Sequence, residues 1–263
     1  MVERSNEHRL DPAFCAGEVA AVVNAVDSPR RTPTQVAVVI PAKDEADLIA
    51  ATVRACQALP HVDLVVVVDD GSSDGTGREA VAAGAEVIRH QTNSGKSAAM
   101  TSGAAWAAAA DAGGPPRALL FVDADLGESA STLAPLIVPV VEGTADLTVA
   151  VIPRSHSSKG TGRAVRLARN EIRRRTGVEI TQPLNGMRCL TRAAYDAAAP
   201  LARGWGVETG MLLSVLGAGL RVVEVPVDFT HRASGPDWAG RRHRARQLRD
   251  IASVVARSRL SRH

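Results

Sequence analysis

Along this chain, short apolar runs alternate with segments whose apolar residues recur every three or four positions. "VAVVI" (36–40), "DLVVVVDD" (63–70), "AEVIRH" (85–90), "ALLFVDADL" (118–126) and "ADLTVAVIPR" (145–154) have the length and β-branched or leucine-rich character of strands. Between them lie "EADLIAATVRACQA" (45–58), "SDGTGREAVAAG" (73–84), the alanine-rich "GKSAAMTSGAAWAAAADAG" (95–113) and "SASTLAPLIVPVVEG" (129–143), which read as helices. Strands that are apolar throughout are covered on both faces, and a helix in each gap supplies the cover. The pattern therefore predicts an α/β fold, a Rossmann-like, mostly parallel sheet in a single domain. Residues 155–176 read as a polar, basic loop followed by a helix. "GMRCLTRAAYDAAA" reads as a strand turning into a helix, "VETGMLLSVLGAG" as a helix and "LRVVEVPVDF" as a last strand. The expected organisation is a flexible N-terminal extension over 1–34, one domain over 35–235 and a basic C-terminal helix or tail over 236–263.

The polar clusters fall at the strand ends: "PAKDE" after the first, "DDGSSDGT" after the second, "NSGK" after the third and "DADLG" after the fourth. Parallel sheets bind ligands beyond the carboxyl ends of their strands, so four clusters are expected to converge on one rim. In "FVDADLG", Asp123 and Asp125 stand one residue apart, which places both side chains on the same side of a strand. Two like charges that close repel, and more strongly where water is scarce, so something positive is expected to compensate. Two hard oxygen donors at this spacing suit Mg²⁺ or Mn²⁺, which in turn neutralises a diphosphate. Capping of the next helix is the plainer alternative. Lys96, near a helix start, suits a phosphate or a sugar-nucleotide carboxylate, or else solvent. Glu208, in the first turn of a helix, is either a dipole partner or a general base. His231 follows the last strand and is either structural or a ligand.

Three local motifs point elsewhere. Gly71-Ser72-Ser73-Asp74-Gly75 fits the G-x-S-x-G nucleophile elbow, which makes an α/β-hydrolase with Ser73 as nucleophile the rival reading. That reading leaves "PAKDE" and the second aspartate of the D-x-D without a role. "GTGREA" fits a dinucleotide fingerprint but lacks the acidic partner expected about twenty residues later. "NSGKS" resembles a P-loop, yet His90 stands where its first glycine belongs. A sugar-1-phosphate nucleotidyltransferase-like enzyme is a further alternative, but it would carry a glycine-rich basic loop after strand one.

Composition narrows the field. The 263 residues are 45% hydrophobic and 22% charged, which supports a real core. Aromatics are 3%, too few for the stacking platforms of nucleic-acid binders, so no nucleic-acid partner is expected. Three widely spaced cysteines suggest neither a disulfide framework nor a zinc site, and a cytoplasmic location is expected. The start of the chain has no apolar leader, and no window approaches the roughly twenty apolar residues of a membrane span. Net charge is +3, much of it near the end. There arginines alternate with Leu248, Ile251, Val254, Val255 and Leu260, a pattern compatible with peripheral contact at the inner face of a membrane or with packing on the domain.

Taken together, "VVIPAKDEADLI", "VVVVDDGSSDGT", "NSGKSAA", "FVDADLG" and "PLNGMRCLTR…GWGVETGMLL…VVEVPV" resemble family 2-type glycosyltransferases of the GT-A fold, nearest the branch of polyprenyl-phosphate sugar synthases, over roughly residues 35–235. The resemblance implies a metal-dependent transferase that uses a UDP- or GDP-linked sugar donor and inverts in a one-step displacement. Its acceptor would be a polyprenyl phosphate or a small hydroxylated metabolite. It implies that Pro41, Ala42 and Glu45 cradle the base and ribose, that Asp70 with Asp69 beside it contacts the nucleotide, and that Lys96 lies near the base. Asp123 and Asp125 would hold the metal and diphosphate, Arg154 would face the acceptor or diphosphate, and Glu208 would serve as base for alcohol acceptors. The chain departs from its relatives in three ways. Gly127 stands where they often have glutamine, which makes His231 the suggested third metal ligand. Gln182 replaces an acid before the "PLNG" turn. No membrane helices follow the domain.

Overall fold

A computed structural model describes residues 21–22, 32–152, 162–229 and 248–256. Among the described residues eight strands, β1 (Ala21–Val22), β2 (Val36–Ala42), β3 (Val62–Asp69), β4 (Glu86–Arg89), β5 (Ala118–Phe121), β6 (Leu147–Val151), β7 (Arg188–Leu190) and β8 (Val222–Pro226), form one sheet in the order β1-β8-β6-β7-β5-β2-β3-β4. Strands β2 to β5 run parallel, as do β6 and β8. The short β7 runs antiparallel between β5 and β6. The apolar pattern anticipated this strand but not its direction, which follows because the chain turns back at the rim over residues 183–187 and enters the sheet from there. At the other end, Ala21 and Val22 pair with β8, so part of the predicted extension covers a sheet edge.

The helices are α1 (Ala46–Gln57), α2 (Thr76–Ala82), α3 (Lys96–Ala110), α4 (Ala134–Val141), α5 (Arg163–Thr176), α6 (Arg192–Ala198) and α7 (Val207–Gly217). The helix expected over 129–143 is split: a 3₁₀ segment covers Gly127–Leu133, and the α-helix starts at Ala134 with Pro135 in its first turn. Proline is preset for that position and lacks only an N–H that would go unused there.

Alternation along β2 divides the core into two layers. Val36, Val38 and Ile40 face Ile49 and Val53 of α1 together with Leu136 and Ile137 of α4. Ala37 and Val39 face Met100, Ala104 and Ala107 of α3 and Val215 of α7. Each fully buried side chain of this size contributes roughly 1.5–3 kcal/mol, so the sheet's centre holds the site's foundation. Helix α3 comes unusually close to β2 at Gly103, where a Cβ would collide with Val39.

Residues 248–256 are helical, and their apolar face is spent on protein. Ile251 and Val255 pack with Ala164 and Ala168 of α5, Leu248 lies against that cluster, and Val254 joins the α7 layer. Of the two readings of this stretch, packing on the domain is the one that the described residues show, and they lend no support to membrane contact. Leu260 lies outside the described residues. Among the described residues no helix is long and apolar enough to cross a membrane.

Candidate functional site

Strands β2 and β5 pair only as far as Val39 and Phe121, whereas β2 continues beside β3 to Ala42 and Asp69. After Val122 donates to the Val39 carbonyl, the chain leaves the sheet. The pairing gap there lies at the point where strand order reverses around β2, the general ligand position in such sheets. Asp123 and Asp125 stand at its edge, both half-buried, on either side of buried Ala124. They lie in a turn beyond the strand, so strand alternation is not what pairs them. The turn is fastened by Thr52 of α1, whose fully buried hydroxyl accepts from Gly127 N–H at 2.8 Å and lies 2.9 Å from the Ala124 carbonyl.

The compensating charge is Lys96. Its Nζ donates to Asp123 Oδ1 at 2.7 Å and stands 3.3 Å from Glu208 Oε1. Burial works to lower the Lys96 pKa, but the Asp123 and Glu208 carboxylates outweigh it and hold the ammonium above its ordinary range. Glu208 itself is buried, in the first turn of α7. Gly186 closes the back of this group: a Cβ there would lie 2.7 Å from Lys96 Nζ and 3.0 Å from both Asp123 carboxylate oxygens. Elements remote in sequence thus meet: the end of β5, the start of α3, the turn before β7 and the start of α7.

Arg188 was not among the residues singled out from sequence. Its guanidinium, 1% exposed, donates to the carbonyls of Asn185 (2.9 Å), Glu208 (2.7 Å) and Pro183 (2.7 Å). It ties the Gly186 turn to the start of α7. Burial pulls its pKa down to about 10, against the field of the Glu208, Asp123 and Glu224 carboxylates. The available signal was a charge inside the apolar run "GMRCL". Gln182, one of the departures from the family pattern, also has a structural use. Its side-chain amide brackets Ile152, donating to the carbonyl at 2.7 Å and accepting from the N–H at 3.1 Å, while Glu224 accepts from the N–H groups of Thr181 and Gln182.

On the β3 side, the strand-end loops are stitched together. Asp70 accepts from Ser94 N–H (2.8 Å) and Gly95 N–H (2.7 Å) and lies 2.7 Å from His90 Nδ1. Burial raises its pKa, but these donors prevail and hold it below the ordinary value. Asp69 accepts from Ser72 N–H at 2.8 Å. Pro41 and Ala42 end β2, and Glu45 N–H donates to Thr76 Oγ1 at 2.9 Å. Ser73 is exposed, and both its N–H and its hydroxyl donate to Asp44. Ser73 Oγ thus turns to Asp44 rather than to a histidine, and His90 lies between Asp70 and Ser102, so the nucleophile-elbow reading lacks its base among the described residues. Arg154 and His231 lie outside the described residues. Among the described residues no three His, Cys, Asp or Glu side chains cluster as a metal cage.

The chain matches the family model described as glycosyl transferase family 2 over residues 37–199. It is 30% identical over 201 residues to a glucosyl-3-phosphoglycerate synthase of Mycolicibacterium paratuberculosis, covering 68% of this chain and 59% of that protein. It is 29% identical over 213 residues to glycosyltransferase AglJ of Haloferax volcanii, covering 78% of this chain and 66% of the relative. An undecaprenyl-phosphate mannosyltransferase of Micrococcus luteus is 29% identical, with 76% and 86% covered. The chain thus spans about three fifths to two thirds of the first two relatives' length. Among solved structures, the glucosyl-3-phosphoglycerate synthase of Mycobacterium tuberculosis in complex with Mn²⁺, UDP-glucose and phosphoglyceric acid superposes with a TM-score of 0.66 at 26% identity, over 85% of this chain and 80% of that one. The family match runs from β2 past the turn that carries Gly186 and through β7 with Arg188: the chain has the GT-A fold and belongs to glycosyl transferase family 2.

Proposed function

We propose that the gap between β2 and β5 is the active site of a metal-dependent glycosyltransferase that moves a sugar from a UDP-linked donor to a hydroxylated acceptor, with inversion. The observation that carries this reading is the meeting of Asp123, Lys96 and Glu208 at 2.7 and 3.3 Å beyond the carboxyl end of the central strands. UDP is favoured over GDP as donor base because a structural neighbour is a complex with UDP-glucose. Two half-buried carboxylates on a fastened turn fit Mg²⁺ or Mn²⁺, which needs only one or two protein carboxylates and completes its shell with water and phosphate oxygens. Asp123 and Asp125 would hold the ion, with His231 as the suggested third ligand. When bound, the cation offsets charge on the departing diphosphate.

The chain's own residues have separate tasks. Pro41, Ala42, Glu45, Asp69 and Asp70 line or brace the β2–β3 side, where base and ribose would rest. Arg154 would face acceptor or diphosphate. Glu208 would take the proton of an acceptor hydroxyl as it attacks the anomeric carbon. A buried carboxylate is well used on an alcohol, whereas a phosphate acceptor is already ionised and needs no base. The phosphoglyceric acid in the M. tuberculosis complex favours a small hydroxylated acid as acceptor. The undecaprenyl-phosphate mannosyltransferase relative makes a polyprenyl phosphate the alternative acceptor.

Thermal unfolding with UDP or GDP, each with and without Mn²⁺, tests the donor site. Ligand at a hundred times its Kd adds about 2.7 kcal/mol. At about 2–4 °C per kcal/mol for a chain of this size, the midpoint should rise by several degrees with UDP and Mn²⁺ together. Asp125→Ala should abolish the rise, and no rise with either nucleotide would sink the proposal. Glu208→Gln should lower turnover on a hydroxyl acceptor by about 10²–10⁴-fold without abolishing the UDP–Mn²⁺ thermal shift. Undiminished turnover on such an acceptor would remove the base role.

A further inference from the structure

Lys96 holds one oxygen of the carboxylate pair proposed to take the cation. Its ammonium is 2.7 Å from Asp123 Oδ1, with Glu208 Oε1 3.3 Å away on the other side. The Lys96 and Asp123 side chains are both 28% exposed, so water screens the pair only in part. Gly186 is backed against the pair, leaving no room for the ammonium to retreat toward the turn before β7. A dication and an ammonium repel and cannot share one carboxylate oxygen at contact distance. Glu208 offers the ammonium a second resting place within the same cluster.

We infer that Lys96 is a resident counter-ion that a divalent cation must displace from Asp123, and that Glu208 receives it when it leaves. The inference rests on the reading of Asp123 and Asp125 as the cation site. In the absence of metal, Lys96 neutralises the Asp123 carboxylate. With metal, the ammonium shifts wholly to Glu208 and becomes a hydrogen-bond donor beside the base. Binding of the metal alone is thereby weakened, and a ligand that itself carries negative charge into the site restores it. The order of assembly follows: free cation binds poorly, and cation with nucleoside diphosphate binds well.

Two substitutions should move the affinity for free Mn²⁺ in opposite directions, which a general loosening of the fold would not do. Binding of Mn²⁺ without nucleotide is measured by the loss of its free-ion electron paramagnetic resonance signal. Lys96→Met removes the competitor and should tighten binding about tenfold. Glu208→Gln removes the alternative seat, leaves Lys96 on Asp123 and should weaken binding severalfold. Asp125→Ala identifies the site, since it should abolish binding in the Lys96→Met background. Equal or weaker Mn²⁺ binding by Lys96→Met, including no detectable binding by either protein, overturns the displacement. Failure of the wild type to bind Mn²⁺ even with UDP overturns the cation site itself, so the two failures are told apart.

Discussion

Gly186 and Thr52 show how single side chains, or their absence, set this site. Glycine is required at 186 because a Cβ would stand 2.7 Å from the Lys96 ammonium and 3.0 Å from both Asp123 oxygens. Nothing in "PLNGM" marks that need, since the two groups arrive from strands and helices elsewhere. Gly186→Ala should cost about 1–3 kcal/mol in stability, the range for overpacking, and should lower turnover more than that loss of stability alone explains. The decisive comparison is the UDP–Mn²⁺ thermal shift, expected to shrink by more than half. A full shift in the variant would mean that the group has room to move. Thr52 acts in the opposite sense, as a hydroxyl whose bonds to the Gly127 N–H and the Ala124 carbonyl hold the D-x-D turn to α1. Nothing in the apolar spacing of "EADLIAATVRACQA" marks Thr52 for this contact.

Between elements, Arg188 does for the back wall what Thr52 does for the front. Its three donors reach the carbonyls of Pro183, Asn185 and Glu208, which joins β7 to the turn before it and to the first turn of α7. A buried carbonyl stripped of its donor costs about 1–3 kcal/mol. Arg188→Met should therefore destabilise by about 3 kcal/mol or more, which at 2–4 °C per kcal/mol lowers the midpoint by roughly 6–12 °C. Arg188→Lys should recover part of this, because one ammonium cannot reproduce a planar three-way fork. If thermal unfolding of Arg188→Met matches the wild type, the tether contributes nothing. Strand β7 teaches a related lesson. Its apolar run was plain in the sequence, yet its antiparallel insertion between β5 and β6 came from where the preceding turn delivers the chain.

For the whole molecule, the helix over 248–256 is bound to the body of the domain by Ile251, Val254 and Val255. Ile251→Ala should cost about 2–5 kcal/mol, the usual range for truncating a buried isoleucine. Co-sedimentation with anionic vesicles at low salt should not depend on that residue. An unchanged unfolding midpoint together with reduced vesicle binding would reverse this assignment. The sequence alone determined the succession of strands and helices, the sheet class, the family resemblance and the gathering of polar clusters on one rim. These are properties of local periodicity and of strand direction, and they survive without knowledge of any partner. Only the tertiary structure decided that Lys96 is the cation facing Asp123, across 27 positions of sequence, and that Glu208 shares it. It alone decided that Asp70 is stitched to the turn before α3, that Ser73 faces Asp44 and that the helix over 248–256 turns its apolar side inward. Those outcomes depend on which surfaces lose water together when the layers pack, and that is a property of contacts between distant segments.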